Sequence, residues 1–380
     1  MAYRIVGNAT TADGRHNLLA HLLPRFKNIS FFSQANKTSV TKSPQSSTSV
    51  RDASDEKPAV VTPNNDPFMT KAGKENFNVA SKILPKAIRE HLINVYRYCR
   101  YIDDIGDLSD GNRLDNLQRA EAELKESFLG KGNNPIFNDI VRTIQATNGR
   151  EENLFNLVKA NIVDQHKHRY DSFEELCDYC KLSADPVGRL VLSVFGAYTE
   201  QCVRYSDKVC TSLQIVEHIQ DIAEDYATGR IYLPQEDLQR FHVTEEMLAG
   251  KAKTSTSGAK FFDIGYKAKT SLPLDNGVKR LLSFECGRAR SLMLEGSPLV
   301  SLLPTLFAKI AIAGFIGGGL AQLEAIEKHN YDVIRNEIKA SKAKIALCSA
   351  KILIKSYFAK SSQAKQLEFR PKSSIARWLR

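Results

Sequence analysis

The chain has 380 residues, 42% of them hydrophobic, and carries a formal charge of +10 with a pI near 9.1. That apolar share is enough to bury a sizeable core, while the charge calls for an anionic partner without choosing among nucleic acid, an acidic membrane and a diphosphate. Its seven cysteines are odd in number and scattered, which excludes a regular disulfide framework and favours a reducing compartment.

Residues 1–65 are rich in Ser, Thr and Asn, with Arg4, Arg15, Arg25, Lys27, Lys37 and Lys42 set against Asp13 as the only acid before Arg51. Such a leader resembles an organelle transit peptide, pointing to a mitochondrion or other organelle; without that role it is a disordered tail of a cytoplasmic protein. Apolar residues recur every three or four positions from Asn76 onward, so the chain is predicted to be all-α, with one domain over 70–335. The predicted helices cover 76–104, 115–128, 135–148, 152–166, 173–182, 186–203, 207–226, 244–251, 257–271, 275–295 and 301–327. Pro186 and Pro234 mark breaks, and Asn112, Gly130 and Gly149 fall in turns. The apolar stretch from Leu299 to Leu323 contains Pro304, Lys309 and a run of glycines, which favours a buried core helix over a membrane span. Residues 336–380 are basic, with Glu368 the one acid after Lys339, and read either as an amphipathic helix on an anionic membrane or as a helix packed on the domain. Basic residues at the termini without aromatic interleaving or a binding module argue against nucleic acid.

Two acidic patterns carry chemistry. In Tyr96-Arg97-Tyr98-Cys99-Arg100-Tyr101-Ile102-Asp103-Asp104-Ile105-Gly106-Asp107, the spacing of four puts Asp103 and Asp107 on one helical face. Glu217, Asp221 and Asp225 repeat that step before Gly229-Arg230-Ile231-Tyr232-Leu233-Pro234. Like charges at this spacing repel, so each stripe is either a solvated face or a cation site. Mg2+ suits such stripes because a few carboxylate oxygens, water and a substrate phosphate complete its octahedron. His218 reads as an ordinary helical residue, and Cys177-x-x-Cys180 has no second pair or nearby His to complete a zinc site.

The order of four motifs resembles the squalene/phytoene synthase family over roughly residues 73–335. They are Glu75-Asn76-Phe77-Asn78-Val79-Ala80-Ser81, Tyr96-x3-Arg100-x2-Asp103-x3-Asp107, Asp185-Pro186-Val187-Gly188-Arg189-Leu190, and Asp221-x3-Asp225-x3-Gly229-Arg230-x-Tyr232-Leu233-Pro234. The first and third look like the hydroxysqualene synthase branch. The resemblance implies a single-domain isoprenoid synthase fold, with an apolar cavity between antiparallel helices, acting on an isoprenoid diphosphate. It implies magnesium on Asp103, Asp107, Asp221 and Asp225, joined by Glu217, and substrate held by Tyr96, Arg100 and Arg230. Val187 and Gly188 would line the pocket at a helix break. The expected reaction is conversion of presqualene diphosphate to hydroxysqualene, with head-to-head condensation of two prenyl diphosphates as the enzymatic alternative. A non-catalytic scaffold resembling a mitochondrial complex I assembly factor of the same ancestry is the third reading, opposed by the retained Asp pairs. Two departures stand out: Glu217 occupies a position where the family usually has Asn, and Asp185 adds an acid expected near the cavity.

Overall fold

A computed structural model describes residues 84–249 and 274–368, with side chains to 358. The leader, the Glu75-Asn76-Phe77 segment and the helix predicted over 257–271 lie outside the described residues. Among the described residues every regular element is helical.

The N-terminal half folds from α1 (Lys86–Leu108), α2 (Arg113–Phe128), α3 (Pro135–Ala146), α4 (Glu152–Val163), α5 (Phe173–Ser183) and α6 (Asp185–Val194). The chain continues with α7 (Glu200–Gln220), α8 (Ile222–Ala227), α9 (Gln235–Arg240), a 3-10 turn (Glu245–Leu248), α10 (Asn276–Gly296), α11 (Leu299–Leu302), α12 (Leu306–Lys328) and α13 (Lys342–Glu368). Side-chain caps explain many of the starts. Asn112 accepts from the amides of Leu114 and Asp115, Ser172 from Glu175, Thr199 from Cys202 and Thr305 from Ala308, each satisfying donors that the first helical turn leaves open. Asn134 does the same for Ile136, with Pro135 in the first helical position.

Three predicted helices divide. The 186–203 segment stops at Val194 because Gly196 turns with φ 64° and Thr199 caps a new helix. The 301–327 segment breaks at Leu303 and Pro304, and the 207–226 segment breaks at Asp221. Pro186 stands at the break between α5 and α6, in the first turn of α6, where its missing N–H costs nothing. α9 was not predicted, its six residues being too few for a periodic signal.

One apolar cluster gathers around α1, α3, α6 and the first half of α7, with α11 and α12 closing it. A second surrounds the latter half of α7, α10 and the end of α12. α12 is long and apolar enough to cross a membrane, yet 67% of its most apolar stretch is buried inside the protein, as a core helix requires. The charged ends of α1 and α7 meet beside these clusters, and that meeting positions the site.

Candidate active site

The last turns of α1 carry Asp103 and Asp107. Asp103 is buried, and the side-chain amide of Asn161 on α4 donates to its Oδ1 at 3.1 Å. The same amide donates to the Leu157 carbonyl at 3.1 Å, while Gln165 Nε2 donates to the Gly106 carbonyl at 3.1 Å. Gly106 allows this approach, because a Cβ there would stand 2.6 Å from Asn161 Oδ1. The contacts to Asp103 and Gly106 thus fix the α1 end against α4 and the residues that follow it.

The second stripe crosses a helix break without losing its alignment. Asp221 closes α7 and opens α8 with φ −99° and ψ 7°. Its amide still donates to the Glu217 carbonyl at 2.9 Å, and the Asp225 amide donates to the Asp221 carbonyl at 2.8 Å. Helical spacing therefore persists from Glu217 through Asp225, with Glu217 buried. Burial and the neighbouring Asp221 charge push the Asp225 carboxyl well above the usual carboxylate range, with Arg230 opposing them.

Arg230 arrives by a reversal of the chain. Gly229 adopts φ 81° after α8; its amide donates to the Tyr226 carbonyl at 3.0 Å and the Arg230 amide to Asp225 at 2.8 Å, which is the Schellman pattern. The turn directs the guanidinium back across the site, where Nη1 meets Asp107 Oδ1 at 3.4 Å. Two segments more than a hundred positions apart are joined by this contact.

These groups line a cavity of about 90 Å³ formed by Asp103, Asp107, Glu217, Asp221, Asp225 and Arg230 together with Asp164, Tyr179, Gln214, His218 and Tyr232. The last five escaped the sequence reading as site residues. Asp164 is buried and accepts from the Tyr179 hydroxyl at 2.7 Å and the Tyr232 hydroxyl at 3.3 Å. His218, expected to be an ordinary helical residue, instead stacks on Tyr232 with ring centroids 3.9 Å apart and planes 11° from parallel. Tyr170 also stacks on Tyr232, with ring centroids 5.8 Å apart. Gln214 extends the acidic stripe by one turn, so period alone could have found it; its Nε2 lies 3.3 Å from His218 Nε2. Asp164 offered no comparable signal, being one acid in a sequence segment without a motif.

The other expected substrate residues lie elsewhere. Tyr96 and Arg100 share the face of α1 that carries Asp103 and Asp107, but neither lines the cavity; Arg100 pairs with Asp104 at 2.7 Å. Burial raises the Tyr96 phenol above its ordinary value. The expected helix break is present at Ala184, yet Val187 is packed in the apolar core and Gly188 lies against α7, with neither lining the cavity. A Cβ on Gly188 would meet Cys210 Sγ at 2.4 Å and Ser206 Oγ at 2.5 Å, so glycine permits the helices to approach. Asp185 is also outside the cavity: it accepts from Thr211 Oγ1 at 3.1 Å, and burial and the Asp207 charge raise its carboxyl well above the ordinary range. Arg189 holds Asp207 through two contacts, at 3.0 and 2.7 Å.

Among the described residues, no three His, Cys, Asp or Glu side chains converge closely enough to enclose an ion by themselves. The donor set is instead spread around the cavity, an arrangement suited to a hard cation that takes one or two carboxylates and fills its remaining positions with water and phosphate oxygens. Hard oxygen donors without a cysteine or a pair of histidines are unlike a structural zinc site.

Comparison with known proteins agrees with this architecture. The squalene/phytoene synthase profile matches residues 70–344. The chain belongs to the squalene/phytoene synthase family. Within the family it is similar to the hydroxysqualene synthase of Sinorhizobium fredii, 33% identical over 235 residues that span 60% of this chain and 71% of that protein. The hydroxysqualene synthase of Rhodopseudomonas palustris is also 33% identical, over 60% of this chain and 70% of that protein. Among solved structures it resembles squalene synthase HpnC from Alicyclobacillus acidocaldarius, with 38% identity and a TM-score of 0.60 over 70% of this chain and 92% of that one. Membership in this family makes the chain an isoprenoid synthase-type enzyme of the hydroxysqualene synthase branch, with the all-α isoprenoid synthase fold.

Proposed function

We propose that this enzyme converts presqualene diphosphate to hydroxysqualene and releases diphosphate, with magnesium held by Asp103, Asp107, Glu217, Asp221 and Asp225. The observation supporting this reading most directly is the convergence of two acidic stripes and Arg230 on one cavity beside an apolar core. Relatives named hydroxysqualene synthase support the choice of reaction. When bound, magnesium would neutralise charge on the departing diphosphate and so favour cleavage of the carbon–oxygen bond.

The protein's own residues have separable tasks in this scheme. Arg230 offers paired N–H donors to phosphate oxygens, and Asp107 orients it before substrate arrives. The rings of Tyr179, Tyr232 and His218 form the wall next to the carboxylates. Tyr179 and Tyr232 are themselves anchored on Asp164, so their positions are set before reaction. Overall, the carbon–oxygen bond to diphosphate breaks, a water oxygen bonds to the rearranged carbocation, and the surplus water proton leaves to an oxygen base.

The test is incubation with magnesium and either presqualene diphosphate or farnesyl diphosphate, with the lipid product identified by mass spectrometry. Hydroxysqualene from presqualene diphosphate supports the proposal. A condensation product from farnesyl diphosphate would replace it with head-to-head synthesis, the second reading. That reading is favoured by similarity to the presqualene diphosphate synthase of Rhodopseudomonas palustris, 30% identical over 61% of that protein.

A further inference from the structure

The C-terminal helix has an inner face that is buried and an outer apolar face that is exposed. The inner face of α13 packs on α11 and α12, burying Cys348, Ile352 and Ser356. Its outer face exposes Leu347 by 50%, Ile354 by 57%, Tyr357 by 76% and Phe358 by 63%. At 100° per residue these side chains and Ala350 fall within an arc of about 100°, a continuous apolar sector. Lys351 and Lys355, both exposed, follow on its border. The helix contains six lysines, and Glu368 is its only acid.

A second element extends this surface. α12 and α13 run in opposite directions, since Glu324 pairs with Lys344 while Gly317 packs on Ser349. The beginning of α12 therefore lies toward the Tyr357 and Phe358 end of α13. There Leu306 is 71% exposed and Ile310 37%. Exposed apolar residues scattered singly need no explanation, but a sector of several on one helix does.

We propose that this outer face is a docking surface for an anionic lipid bilayer, with α13 lying in the interfacial plane. The apolar sector enters the headgroup boundary, and lysines at its border meet lipid charges while their stems remain in apolar surroundings. Tyr357 and Phe358 provide the aromatic end of the inserted face. Charge complementarity favours this occupant over a second copy of the chain: face-to-face pairing would bring the Lys351 and Lys355 rows of both copies together without an acid among residues 342–358 to offset them. The surface shares no residue with the carboxylate cavity, so its test is independent of the reaction proposed above.

The experiment is flotation of the full chain with phosphatidylcholine vesicles, either pure or mixed with phosphatidylglycerol. Binding is expected with the mixed vesicles, weakened by salt and much lower on the neutral ones. Ile354→Ser combined with Phe358→Ser should reduce binding roughly 100-fold. Lys351→Gln combined with Lys355→Gln should reduce it roughly 20-fold. Circular dichroism serves as the fold control. Equal binding to neutral vesicles, or wild-type binding by the Ile354/Phe358 variant, would overturn the proposal. So would absence of vesicle binding by a wild-type dimer that the same variant converts to monomer, an outcome assigning the face to a second copy.

Discussion

Asn161→Leu separates support of the acidic site from simple filling of space. The substitution keeps a side chain of similar volume on α4 but removes the donor that reaches Asp103 Oδ1 at 3.1 Å and the Leu157 carbonyl at 3.1 Å. Since Asn161 is buried, water cannot readily replace that donor. Removing a buried partner of a charged group costs about 1–3 kcal/mol. In a domain of this size each kcal/mol moves the thermal midpoint by roughly 2–4 °C, giving a fall of roughly 2–12 °C by circular dichroism. Loss of a group that orients a metal-binding carboxylate typically lowers activity or metal affinity about 10–100-fold. Diphosphate release should therefore be measured across a magnesium titration, comparing turnover and the half-saturating metal concentration. An unchanged midpoint together with an unchanged magnesium profile would refute the orienting role assigned to Asn161.

Further outcomes test separate parts of the structure. Asp103→Asn or Asp221→Asn should abolish diphosphate release while leaving the fold intact or slightly stabilised, because each removes a charge from a repelling set; circular dichroism and a product assay check both halves. Arg230→Gln removes the guanidinium facing Asp107 and should raise KM for the diphosphate substrate by roughly 10-fold or more, measured by steady-state kinetics. Gly317→Ala would place a Cβ 2.4 Å from the Ser349 backbone amide and 2.6 Å from its Cα, forcing α12 and α13 apart; a loss of about 1–3 kcal/mol is expected in urea denaturation. Glu285 tests pH dependence: burial, opposed by Arg288, pushes its carboxyl up to about 8, compared with 4.5 for the exposed group. Its stabilisation is fully present below the unfolded value and is lost as pH rises through about 8, so the thermal midpoint should fall across that window and fall less in Glu285→Gln.

Local pattern alone determined a large part of this protein. Period-3.6 apolar spacing identified the long helices, and the four-residue acidic step selected Asp103, Asp107, Glu217, Asp221 and Asp225, all of which line one cavity. Arg230 was legible because it follows the second stripe after a glycine turn. These signals survive in a linear chain because one element creates each of them. Tertiary structure alone decided that Tyr96 and Arg100 share the acidic face of α1 yet stand outside the cavity, and that Val187 and Gly188 serve packing contacts in the described structure. It also brought Asp164, Tyr179, His218 and Tyr232 together from four separate segments, through hydrogen bonds and ring stacking. Helical periodicity reports which face a residue occupies; which neighbour covers that face depends on how the helices cross, and no local repeat encodes that crossing.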